Sequence, residues 1–169
     1  MPWLGERAFK LLDDVNNWGQ RKQLMGEVDV FQIDSTHELY AHMNVNYVKL
    51  PSVPTFDRYA SLLDAMRRGE FFVSTGEVLL PEVSLTAGSW GQIRVRAHIR
   101  HTFPLEQVLV SWGDGSEAHR RAFQLLSTHS FGDFVFETDV DAANWKWARL
   151  SVWDVASNGA FVNPVWRDK

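Results

Sequence analysis

A chain of 169 residues with 45% apolar and 22% charged side chains has the length and balance of one globular domain, or of one domain with an appended half, and excludes disorder over most of its length. A net charge of −4 argues against a nucleic-acid partner, which needs a basic field to displace counterions from phosphates, and the absence of cysteine excludes disulfides and thiolate metal sites. No apolar run approaches the roughly 18 residues that span a bilayer, and Met1 to Lys10 lacks the apolar core of a signal peptide.

In chain order, Phe9 to Trp18 reads as a helix. Leu11, Val15 and Trp18 recur at i, i+4 and i+7, Leu12 widens the stripe, and Gly19 is the stop. Val28 to Ile33 is short, apolar and β-branched, the pattern of a buried strand, and Tyr47 to Leu50 is a second candidate. Pro51 and Pro54 then break the chain, and Thr55 is placed to cap a helix. Phe56, Tyr59, Leu63 and Met66 make its apolar face, Arg67 and Arg68 suit its C-terminal dipole, and Gly69 ends it.

After Gly69 the hydrophobic period changes from about 3.6 to 2. Short strands are expected at Phe71 to Ser74 and Val78 to Leu80. Gln92 to Arg100 alternates most clearly, with Ile93, Val95, Ala97 and Ile99 on one face and Arg94, Arg96, His98 and Arg100 on the other. Gln107 to Trp112 leads through Gly113-Asp114-Gly115, a hairpin signal, into a return strand from Glu117 to Leu126. Phe131 to Thr138 and Trp145 to Asp154 alternate again, and Ser157-Asn158-Gly159 signals another hairpin before Phe161 to Trp166. The expected fold is mainly β: an antiparallel immunoglobulin-like β-sandwich over residues 70–169, with an N-terminal α/β extension over residues 1–69.

His37 and His42 lie five apart, about 140° around a helix, so they cannot form the zinc-protease pair, which needs a spacing of four. Asp34, His37 and His42 can still hold a metal on a loop; polar loop residues or caps are the plainer reading. Asp139-Val140-Asp141 alternates like the start of a calcium loop but lacks the loop's glycine and distant glutamate, and a turn explains it more simply. Trp145, Trp147 and Trp153 share an alternation phase with Arg149 and Ser151. Exposed, that face is a platform for sugar rings; buried, it is core. Ala148, Leu150 and Val152 already supply a second apolar face, as in a central strand covered on both sides. The Arg94 to Arg100 ladder is either an anion site or a solvated face paired with carboxylates. Asp114 and Asn158 have turn-forming work to do. No spacing assembles a nucleophile triad or a phosphate loop.

The segment Asn46 to Leu80, then WGDG, WKWARLSVWDVASNGAF and NPVW, resembles the C-terminal region of PHP-type (polymerase and histidinol phosphatase) metal-dependent phosphoesterase-like bacterial proteins. In that family a metal-binding α/β barrel comes first. Its final helix, matching Phe56 to Arg68, leads into a strand like FFVSTG, and an immunoglobulin-like sandwich follows. The family's metal ligands begin with a His-x-His pair, which this chain lacks, and its late Asp-x-His pair has Asp34-Ser35-Thr36-His37 as nearest counterpart, one residue longer. The resemblance implies a non-catalytic C-terminal accessory or interaction domain. It would pack against an upstream barrel, with any divalent metal held in the parent protein and residues 1–50 as remnants of the barrel end. The alternatives are a carbohydrate-binding sandwich using Trp145, Trp147, Arg149 and Trp153, and a small metal-dependent hydrolase using Asp34, His37 and His42.

Overall fold

The computed structural model describes residues 3–26 and 45–167. Helix α1 spans Trp3–Asn17, and the chain reverses at Gly19 in a left-handed conformation (φ 85°). The face α1 buries differs from the expected one. Leu11 and Trp18 are 62% and 74% exposed, whereas Phe9, Leu12 and Asn16 are buried. These three also sit at helical spacing, but the stripe includes an asparagine and so escapes a count of apolar residues. Asn16 is satisfied inside. Its Nδ2 donates to the carbonyls of Leu12 (2.9 Å) and Lys22 (3.0 Å), and its Oδ1 accepts from Trp166 Nε1 (3.3 Å).

The segment after α1 is held by side chains rather than by a strand ladder. Asn163 accepts from the Leu24 amide (2.7 Å) and donates to the Leu24 carbonyl (3.2 Å). Asn46 clasps Gly26 in the same way, at 3.0 and 2.6 Å. Each amide side chain has one donor end and one acceptor end, so it can stand in for a neighbouring peptide group.

Strand β1 covers Val45–Val48 and helix α2 covers Ala60–Arg68. The expected helix start is displaced: the Arg58 amide donates to the Thr55 carbonyl in a turn (2.9 Å), and the Thr55 hydroxyl donates to Asp57 (2.7 Å) instead of capping α2. α2 buries Ala65 and half-buries Leu62 and Met66, so of the expected face only Met66 turns inward. Gly69 ends the helix as expected, left-handed at φ 75°, with its amide on Met66 O and the Glu70 amide on Ala65 O.

Eight further strands follow: β2 Phe71–Ser74, β3 Val78–Ala87, β4 Gln92–His101, β5 Leu105–Gly113, β6 Ala118–Gln124, β7 Gly132–Asp141, β8 Trp147–Asp154 and β9 Gly159–Val162, before the short β10 Val165–Trp166. β3 runs well past the expected Val78 to Leu80. It passes Pro81, which has no amide to donate, by a register shift between Leu79 and Glu82. Among the described residues the strands form two antiparallel sheets. The larger has the order β1-β2-β9-β8-β5-β6, with β10 also pairing β8; the smaller is β3-β4-β7.

The sheets pack face to face. Ile93, Val95, Ala97 and Ile99 of β4 meet Val108, Val110, Leu150 and Val152 of β5 and β8 in one buried cluster. The opposite face of the larger sheet carries a second cluster, in which Phe9 of α1 meets Phe71, Val73, Leu109, Trp153 and Phe161. β8 therefore lies between two covers, and all eight of its residues are buried. The sheet also continues across residue 69: β1 pairs with β2 from Val45↔Ser74 to Val48↔Phe71. No helix among the described residues is long and apolar enough to cross a membrane.

Candidate functional site

A groove of about 600 Å³ with polar chemistry lies between α1 and the helix-side face of β5 and β8. Alternation places Leu109 and Ser111 of β5 beside Ser151 and Arg149 of β8, in the register Leu109↔Ser151 and Ser111↔Arg149. α1 supplies Phe9, Lys10, Asp13, Asp14 and Asn17 along one wall, and the β5–β6 hairpin supplies Glu117 and Arg120 on the other.

Arg149 is the centre of this floor. Its Nε donates to Asp13 Oδ1 (2.6 Å) and its Nη2 to Asp13 Oδ2 (2.7 Å). Its guanidinium carbon lies 4.6 Å from the centroid of the Phe9 ring. The fork geometry suits a carboxylate, and the aromatic face accepts the flat cation. Two outer pairs flank it, Lys10–Asp14 at 2.7 Å and Arg120–Glu6 at 3.5 Å.

The β5–β6 turn closes the groove's end. Asp114 Oδ1 accepts from the Ser116 hydroxyl (2.6 Å) and from the amides of Ser116 (2.7 Å) and Glu117 (2.8 Å). The Ser116 hydroxyl, then those amides and His119, hold its carboxyl well below the usual carboxylate range. Asn17 Oδ1 accepts from the Gly115 amide (2.9 Å), tying the end of α1 to the turn. At the β8–β9 turn, Asp154 accepts from the amides of Ala156 (2.9 Å) and Asn158 (2.8 Å) and from Asn158 Nδ2 (3.1 Å). The left-handed residue in that turn is Ser157 (φ 67°).

The tryptophans of the candidate sugar platform are buried, as the doubly apolar strand pattern favours, and do not share one surface. Trp145 precedes β8 and packs in the intersheet cluster, with Arg167 over its ring at 5.6 Å. Trp153 belongs to the helix-side cluster. Trp147 is packed so closely on Gly113 that a Cβ there would lie 2.3 Å from its Nε1. A stacking surface made of Trp145, Trp147 and Trp153 is therefore corrected to core, because β8 is covered on both faces. Of the four candidates Trp145, Trp147, Arg149 and Trp153, Arg149 alone lines the groove.

The β4 ladder pairs with β7 carboxylates: Arg94 with Asp139 (3.3 Å), Arg96 with Glu137 (2.6 Å) and His98 with Asp133 (2.5 Å). Asp139 and Asp141 thus lie on a strand, not in a turn, and Asp141 accepts from Gln92 Nε2 (2.7 Å). Asp34, His37 and His42 lie outside the described residues. Among the described residues, no group of three or more His, Asp or Glu is arranged to hold a metal ion.

The sequence reading missed the Asp13–Arg149 pair and the two serines beside it. The available signal was Arg149 itself, a charge in a strand apolar on both faces, which demands a buried partner. Comparisons of the chain with protein-family models, with curated proteins and with solved structures find no match.

Proposed function

We propose that this chain is a non-catalytic accessory module that packs, through α2, against a larger α/β body of the metal-dependent hydrolase type. The carrying observation is the second apolar face around α2. Leu62, Ala65 and Met66 turn toward the sandwich, yet Val53, Phe56, Tyr59 and Leu63 are exposed, Phe56 at 100% and Val53 at 92%. Of these exposed residues only Leu63 lies on α2, while Val53, Phe56 and Tyr59 belong to the segment that leads into it, and an exposed apolar patch of this kind is suited to being covered. The kind of partner is supported by the resemblance, in which Phe56 to Arg68 correspond to the last helix of the barrel. The non-catalytic part is supported by how the capable side chains are used: Asp13, Arg149, Asp114 and Asp154 are each engaged in bonds that hold the fold.

Replacing Phe56→Ser and Leu63→Gln tests the reading. In the isolated chain the melting temperature should shift by no more than about 2 °C, as for surface positions. In the full native gene product, amides of residues 60–68 should exchange more slowly than in the isolated chain, and the same substitutions should remove that protection. Equal exchange in the two proteins would sink the docking reading. Chelator-sensitive hydrolysis of p-nitrophenyl phosphate by the purified chain would sink the non-catalytic one.

A further inference from the structure

We infer that the groove between α1 and the β5–β8 floor is a binding site for a neutral, hydroxyl-rich ligand: a sugar. The floor holds polar atoms that the fold leaves unused. Ser111 and Ser151 are 3% and 1% exposed, and neither hydroxyl has a hydrogen-bond partner among the described residues. Arg149 spends Nε and Nη2 on Asp13 and leaves Nη1 without a partner. Among the described residues, the side-chain polar atoms sealed from solvent without a partner are three indole nitrogens, those of Trp145, Trp147 and Trp153. The two hydroxyls and Arg149 Nη1 are therefore not sealed in, and the residues that carry them line the groove. Polar atoms that reach the cleft without a protein partner are the ones a ligand can take over from water, and three together in one cleft point to such a ligand.

Charge selects the ligand class. The lining holds Lys10, Arg120 and Arg149 against Glu6, Asp13, Asp14 and Glu117, one carboxylate more than it has cations. The three cations are each paired with a carboxylate, which leaves Glu117 over. An anion would compete with Asp13 for Arg149 and meet Asp14 and Glu117. A cation would meet Arg149 on the floor. A sugar avoids both conflicts: its hydroxyls accept from Arg149 Nη1 and the serines, and donate to the carboxylates. Trp18, 74% exposed at the end of α1, lines the same groove and offers an apolar ring for the C–H face of a pyranose. The volume lies within the roughly 300–1,000 Å³ of small-molecule sites. This site is independent of the α2 face.

The test is saturation-transfer NMR on the chain with glucose, galactose, mannose, xylose, N-acetylglucosamine and cellobiose, with glutamate, spermidine and inorganic phosphate as charged controls. Calorimetry follows for each binder. At least one neutral saccharide should bind, and Trp18→Ala and Ser151→Ala should each weaken it about tenfold. Trp18→Ala should leave the melting temperature unchanged, because its side chain is exposed, which separates lost binding from lost folding. Binding of none of the saccharides, binding of the charged controls alone, or affinity unaltered by both substitutions would each overturn the inference.

Discussion

Arg149 of β8 and Asp13 of α1, 136 positions apart, are joined by two hydrogen bonds of 2.6 and 2.7 Å in an interior where their side chains are 5% and 14% exposed. The pair fixes how α1 lies on the larger sheet. Hydrophobic packing of Phe9 and Leu12 attracts the helix to that face without setting its position along it, whereas a bidentate fork fits in one place.

Removing one partner leaves the other charge buried and alone. Asp13→Ala and Arg149→Met should each destabilise the fold by about 3–5 kcal/mol in urea unfolding. The double variant Asp13→Leu with Arg149→Met should recover most of that loss, since apolar replacements of a buried pair are often neutral. A double variant as unstable as the sum of the singles would refute the coupling.

The Asp114 turn should give the chain an acid-sensitive component of stability. Its carboxyl is depressed in the folded state, chiefly by the Ser116 hydroxyl and the Glu117 and Ser116 amides. The stabilisation is present above the unfolded value near 3.9 and is lost as pH falls toward the lower folded value. Melting temperature against pH should therefore fall below about pH 4 in the wild type, and Asp114→Ala should flatten that arm. An unchanged slope in the variant would assign the acid sensitivity to other carboxylates.

Asn163→Ala deletes both bonds to Leu24. A loss of about 1–3 kcal/mol is expected, with faster exchange at the Leu24 amide. Asn163→Asp keeps the acceptor but loses the donor and should fall between the two. Exchange at Leu24 as slow as in the wild type would show that packing alone holds residues 20–26.

Patterns that repeat over many residues were the legible part of the sequence. β4 alternates over ten residues, and its inward and outward sets are as read. The doubly apolar β8 was recognisable as a strand covered on both sides, and Gly69 as a helix stop needing positive φ. Features that depend on one polar residue in an apolar pattern were hidden. Asn16 sits in the buried stripe of α1 and moved the expected face toward Leu11 and Trp18. Pro81 cut the expected β3 short, because a bulge that accommodates proline has no signature in periodicity. The groove was hidden for a plainer reason: Arg149 signals that it needs a buried partner, but Asp13 and Ser111 meet it only through the tertiary fold and each alone is an ordinary residue.

The place of β9 between β2 and β8 governs the order in which the polypeptide can be completed during translation. β2 pairs with β9 through Val73↔Phe161, and β1 is joined to the sheet through β2. β3 to β8 can assemble as they leave the ribosome, since each finds a partner already synthesised or next in line. β1 and β2 emerge early yet must wait for residues 159–162, which arrive some 85 positions later, or about 4–17 s at ordinary elongation rates. Throughout that interval Phe71 and Val73 have only β1 beside them and lack the β9 side of the sheet, so the nascent chain carries a sticky, half-built margin that a holding chaperone would be expected to shield.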